Sequence, residues 1–111
     1  MAVLKNADRA HIDPAKIVDY LLCHGHPRGG PKAAFFEQFG FSVADWELFG
    51  RALRSHAAMN PVDRTVSTEF GEIFEVIGPL PAPDGRSPRV LVVWAIRNGE
   101  DVPRLVTAVP A

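Results

Sequence analysis

A single cysteine, Cys23, is all the chain offers for thiol chemistry, so no internal disulfide can form. No apolar run approaches the roughly 18 residues that a membrane span needs, and none is expected. No charged start followed by an apolar stretch occurs, so no secretory leader is expected; this fits a protein of the cytoplasm, or a domain delivered by another chain. Charge of one sign is missing too. Twelve Lys and Arg stand against 13 Asp and Glu, a net charge of −1, and the isoelectric point is near 6.4. That balance excludes a protein that coats nucleic acid through a global basic field, but it leaves room for one local positive pocket. No P-loop, serine elbow or dinucleotide fingerprint is present, and no carboxylate pair demands a glycosidase or a two-metal site. At 111 residues, without an internal repeat or a linker-like stretch, one domain over residues 1–111 is expected.

What is present reads as helices followed by strands. Residues Met1 to Ala10 carry no clear period. Asp13-Pro14 reads as an N-cap followed by proline at the first helical position, with Ile17, Val18, Leu21 and Leu22 at helical spacing, which predicts a helix from Pro14 to about Cys23. A loop from His24 to Gly30 follows. Helical character returns from Lys32 to Phe39, with Pro31 at the start and Gly40 as the terminating residue. Ser42 with Asp45 forms an imperfect capping box before a third helix. Trp46, Phe49, Leu53 and Ala57 make its apolar stripe, Glu47 and Arg51 pair on another face, and Asn60-Pro61 ends it.

Beyond Pro61 the character is β. Phe70 to Ile77 and Arg89 to Ile96 read as strands, separated by a proline- and glycine-rich loop from Pro79 to Pro88. The second is apolar on both faces, as a central strand is. Asn98-Gly99 is a hairpin signal, and Arg104 to Val109 is the return strand. The expected fold class is therefore α+β: about three N-terminal helices packed on a C-terminal antiparallel sheet of three to four strands.

Chemistry concentrates in Cys23-His24-Gly25-His26-Pro27-Arg28-Gly29-Gly30-Pro31-Lys32. Gly29-Gly30 lets the chain bend before Pro31, and a helix start with free amides, Lys32 in its first turn and Arg28 just upstream favours an anion such as phosphate. His24 and His26 can move protons near neutral pH, while His11 and His56 stand apart in sequence. A zinc site would need a fourth donor that no second cluster supplies, so no metal and no cofactor are expected. Cys23 is either a thiol activated by its histidine neighbour or a helix-end residue facing the core.

Metal-free RNA cleavage needs a base for the 2′-OH, an acid for the leaving oxygen and fixed cations for the transition state. His26 or His24 can supply the base near neutral pH, and Lys32, Arg28 and a strand arginine can supply the charge. The alternative is a surface loop shaped by His26-Pro27 with a solvated Lys32. A tight hairpin at Asn98-Gly99 would put Trp94 and Thr107 on one face, as a base-stacking and phosphate-contacting pair or simply as core. Arg104 would then lie on the opposite face from Thr107, unless a bulge or an edge position intervenes.

The run Ile12-Asp13-Pro14-Ala15-Lys16, then Tyr20-Leu21-Leu22, His24-Gly25-His26-Pro27-Arg28-Gly29-Gly30-Pro31-Lys32-Ala33, Phe36, Phe39-Gly40-Phe41 and Pro103-Arg104-Leu105-Val106-Thr107-Ala108-Val109-Pro110 resembles a family of small bacterial proteins classed as a domain of unknown function. The likeness covers nearly the whole chain and departs at Val109, where the family usually has an aromatic residue. The shorter His26-to-Phe36 segment also resembles one in toxin domains of the barnase, EndoU, colicin and RelE superfold. That resemblance implies helices before a four-stranded antiparallel sheet and metal-independent ribonuclease activity by 2′-OH transesterification. It puts His26 and Lys32 in the active site and admits Arg104 and Thr107 as secondary contacts. His24, Arg28, Gly29, Gly30 and Trp94 are the expected substrate and phosphate contacts. The partners expected are RNA and a cognate antitoxin or immunity protein, with no membrane. The competing expectation is a non-catalytic binding module, such as an antitoxin, an immunity protein or an inactive relative of the nuclease fold, which the mildly acidic balance favours.

Overall fold

A computed structural model describes residues 2–111. Among the described residues three α-helices, with short 3₁₀ and π turns beside them, precede four antiparallel strands in the spatial order β1-β2-β3-β4, an α+β fold as expected. Helix α1 spans Pro14–Lys16 and runs directly into a π-helical turn, Ile17–Leu21. Asp13 caps it, its Oδ1 accepting from the Ala15 N–H at 3.0 Å, with Pro14 in the first turn. The helical run stops two residues short of Cys23, because the Leu22 N–H bonds back to the Ile17 carbonyl (2.8 Å), five residues away. Helix α2 spans Gly30–Glu37, and Gly40, at φ 98°, ends that segment in the left-handed region that glycine permits. Helix α3 spans Trp46–Met59. The capping box expected at its start does not form: Ser42 and Asp45 frame a short 3₁₀ turn, Val43–Asp45, and neither side chain caps. Among the described residues Glu47 and Arg51 close no ion pair; both line a small cleft between α3 and α1.

Strands β1 (Val62–Thr68), β2 (Gly71–Pro79), β3 (Arg89–Arg97) and β4 (Arg104–Pro110) form the sheet. Its inner face carries Val76, Val92, Trp94, Leu105 and Ala108, all buried against Ile17, Leu21, Phe36, Phe49 and Leu53 of the helices. Fully burying a side chain such as Phe36 or Phe49 stabilises the fold by about 1.5–3 kcal/mol. Residues 2–10, which show no period, pack too: Leu4, Ala7 and Ala10 are buried, and the Val62 N–H donates to the Ala2 carbonyl. Cys23 is half-buried rather than in the core. The Pro79–Pro88 loop folds back on the end of α2, with the Asp84 N–H bonded to the Phe39 carbonyl and the Arg86 guanidinium to the Gln38 carbonyl.

The β3–β4 connection differs from a tight hairpin. Gly99 takes φ 80° and Glu100 N–H reaches the Arg97 carbonyl, but the chain continues through Asp101 to Pro103 before pairing resumes. Ala95 then pairs with Arg104 and Trp94 with Leu105, whereas Val93 pairs with Thr107, so Val106 is an extra residue on β4. That bulge reverses the face of everything beyond it. Thr107 therefore does not share a face with Trp94. It lies with Arg104 on the outward face, opposite Val93 and Ala95.

Candidate functional site

The site grows from the joint between the π turn and the His24–Gly30 loop. His26 organises that loop. Its Nδ1 accepts from the Arg28 and Gly29 N–H groups, each at 3.0 Å, and its carbonyl accepts from the Gly30 N–H at 2.9 Å. The amides of Gly29 and Gly30, expected to be free for an anion, are thus already partnered. The two glycines serve close approach instead. A Cβ on Gly29 would fall 1.8 Å from the Tyr20 carbonyl oxygen, and one on Gly30 would fall 2.9 Å from that of His24. Because Nδ1 accepts twice, the proton of the neutral ring sits on Nε2. In that tautomer Nε2 is a hydrogen-bond donor, and of the base and acid roles expected for His26 it suits the acid.

Tyr20, the only tyrosine, is the residue to which sequence reasoning assigns no role. Its ring meets the His26 ring edge-on, with centroids 4.9 Å apart. Its hydroxyl bonds to Thr107 Oγ1 at 3.0 Å and accepts from the Lys32 ammonium. Lys32 Nζ also lies 4.7 Å from the ring centroid, and Lys16 Nζ lies 5.8 Å from it. Partial burial pushes the phenol pKa up, but the hydrogen bonds from Lys32 and Thr107 and the charges of Lys32 and Lys16 outweigh it. The phenol is left below its ordinary value.

Lys16, Tyr20, His26, Arg28, Val106 and Thr107 line one cleft of about 500 Å³ along the β4 edge. Among the described residues no carboxylate lines it, so its field favours an anion. Lys32 stands behind Tyr20. Such a constellation can bind a phosphodiester, move one proton at the Tyr20 oxygen, and donate to developing charge from His26 Nε2 and Arg28.

Of the residues singled out from sequence, His26, Lys32, Arg28 and Thr107 gather here. Three do not. His24 turns outward to pair with Glu37, Nε2 to Oε1 at 2.5 Å. Trp94 is fully buried in the core, so stacking on a base is excluded for it and it leaves the substrate-contacting set. Arg104 lines an adjacent cleft and pairs with Glu100 at 3.2 Å. Lys16, absent from the expectation, joins because it sits four residues before Tyr20 on the same helical run. Among the described residues no three His, Cys, Asp or Glu side chains gather as a metal site.

The comparisons with known proteins bear on this arrangement at the level of family and fold. The family model described as "Domain of unknown function (DUF6883)" matches residues 3–111. No curated protein matches the sequence. Among solved structures, a chain of the "Contact-dependent growth inhibition toxin - immunity protein complex from Klebsiella pneumoniae 342" shares the fold. Its TM-score is 0.70 at 12% identity, over 90% of this chain and 98% of that one.

Proposed function

The chain belongs to the DUF6883 domain family, and from that premise we propose that it is a toxin-like ribonuclease cleaving RNA by metal-independent 2′-OH transesterification at the Tyr20 cleft. The observation that carries the reading is the Tyr20 hydroxyl held by Lys32 and Thr107 beside His26, in a cleft that no carboxylate among the described residues lines; the same contacts lower the phenol pKa. A fold shared with a member of a toxin–immunity complex is in keeping with it. Tyr20, as phenolate, takes the 2′-OH proton and Lys32 stabilises that form. The 2′-oxygen attacks phosphorus, the bond from phosphorus to the 5′-oxygen breaks, and the Lys16 ammonium gives the leaving oxygen its proton. His26 Nε2–H and Arg28 donate to the non-bridging oxygens. The products are a 2′,3′-cyclic phosphate and a 5′-hydroxyl.

The test is incubation of the purified protein with a mixed RNA pool in EDTA. Cleavage leaving cyclic ends is expected, slowed about 10²- to 10⁴-fold in Tyr20→Phe and strongly reduced in Lys32→Ala and His26→Ala. Intact RNA after incubation with folded wild-type protein refutes the reading.

One observation favours a second reading, a non-catalytic module that binds a cognate partner. The outward sheet face presents Ile73, Ile77, Leu91, Val93 and Val109, all half-exposed, on the side away from the helices. Failure of cleavage, with a stable complex formed through that face, is the outcome that selects it.

A further inference from the structure

Beside the Tyr20 cleft a second one, of about 120 Å³, opens between α1 and the start of β4, lined by His11, Asp13, Lys16, Arg97, Arg104 and Leu105. Lys16 lines both. The β4 bulge aligns the two: Arg97 lies two residues beyond Ala95, so Arg97, Arg104 and Thr107 share the outward face, which an unbroken ladder would deny to Arg104 and Thr107 together. Its start is also pinned. The His11 N–H donates to the Pro103 carbonyl at 2.7 Å, and the Leu105 N–H donates to the His11 carbonyl at 3.0 Å, fixing His11 beside Arg104.

The positive charge there is offset only in part. Asp13, which caps Ala15, and Glu100, which holds Arg104 through Nε at 3.2 Å and Nη2 at 3.5 Å, stand against Lys16, Arg97 and Arg104, and among the described residues Arg104 Nη1 has no hydrogen-bond partner. Among the described residues Arg97 and Lys16 close no ion pair. Lys16, Arg97, Arg104 and an exposed histidine thus face a narrow cleft that shares Lys16 with the Tyr20 cleft.

We infer that the cleft of His11, Lys16, Arg97 and Arg104 is a second phosphate subsite, so that the protein engages a run of single-stranded RNA and not one phosphodiester alone. The inference rests on the RNA-cleaving reading of the Tyr20 cleft and assigns Arg104 to substrate binding, outside the chemistry. It grips phosphate, which carries no base identity, so the subsite adds affinity and register without sequence preference.

Binding of a fluorescent 2′-O-methyl RNA dodecamer pool, whose blocked 2′-oxygen cannot react, tests this by anisotropy across a salt series. The Arg97→Gln/Arg104→Gln double variant is expected to bind about tenfold more weakly, its log K against log salt shallower by about 0.7 for each phosphate no longer neutralised. Arg97→Lys/Arg104→Lys should keep most of the slope, and Arg51→Gln on α3 should change neither quantity; melting midpoints establish that the variants are folded. Tight wild-type binding that the Gln double variant reproduces in strength and slope overturns the subsite and leaves the Tyr20 cleft standing. Wild-type protein that binds no oligonucleotide overturns the RNA reading of both clefts.

Discussion

Tyr20 sits where three cationic or hydroxyl groups meet one phenol, and each of those groups favours the phenolate. Because it is the only tyrosine, its ionisation can be followed directly by near-ultraviolet absorbance. The midpoint is expected below the ordinary value of about 10, and Lys32→Met should move it upward, since a hydrogen bond and a charge disappear together while burial remains. A wild-type midpoint at or above the ordinary value would remove the basis for a tyrosine base. His26, Arg28 and Lys32 are legible from sequence because they crowd one loop. Tyr20 is not, because its partner Thr107 lies 87 positions away and only the folded chain joins them. Lys16 is hidden differently: on a short amphipathic helix a lysine reads as a solvated face. Its role appears only with the ring four residues on.

At the scale of elements, two irregularities do the positioning, and neither has a sequence signature of its own. The π turn at Ile17–Leu21 brings the Tyr20 carbonyl against Gly29, and the bulge at Val106 swings Thr107 to the Tyr20 side. Helix and strand periods predict where elements lie, so α2, α3, β2, β3 and β4 are foreseen to within a few residues. They cannot predict one extra residue that flips a face, and the expectation that Trp94 and Thr107 share a face fails for that reason. Strand β1 escapes for another: Val62–Thr68 is an exposed edge with polar residues on both sides, so it lacks the alternation of a half-buried strand. The joint between turn and loop makes its own prediction. Gly29 has φ −81°, which alanine adopts freely, so the penalty for Gly29→Ala is steric: a Cβ 1.8 Å from a backbone oxygen forces the turn and loop apart. A loss of about 1–3 kcal/mol is expected in urea unfolding, together with loss of the Tyr20 titration shift. Gly25→Ala, with no atom within 4 Å of its Cβ, should leave both unchanged. Equal stability of the two variants would show that the close approach does not constrain the joint.

For the whole molecule, the layer of helices is pinned to the sheet by a polar contact deep in the core. His56 of α3 is fully buried, and its Nε2–H points between the carbonyls of Gly78 (3.1 Å) and Val90 (3.0 Å), residues that face each other across β2 and β3. Asn60, one turn on, packs so closely against Gly78 that a Cβ there would lie 2.1 Å from its Oδ1. Among the described residues His56 Nδ1 has no partner, so protonating the ring would place a second N–H and a charge in the core with none of them to receive it. Burial lowers the His56 pKa, while the two backbone hydrogen bonds oppose that shift without cancelling it. The consequence for stability follows from proton uptake: the unfolded chain takes a proton at His56 as the pH falls through about 6.5, the folded chain only at a lower pH. Stability at this position is complete above about pH 6.5 and declines below it, with a slope of up to about 1.4 kcal/mol per pH unit, until the folded pKa is reached. His56→Gln keeps an amide donor for the same carbonyls and removes the titration. The difference in unfolding free energy between wild type and His56→Gln should be constant from pH 8 to about 7 and shift against wild type as the pH falls through about 6.5. A difference that stays flat across that window would mean that the folded core accepts the proton as readily as water does, and the buried imidazole would then have no part in the acid sensitivity of the fold.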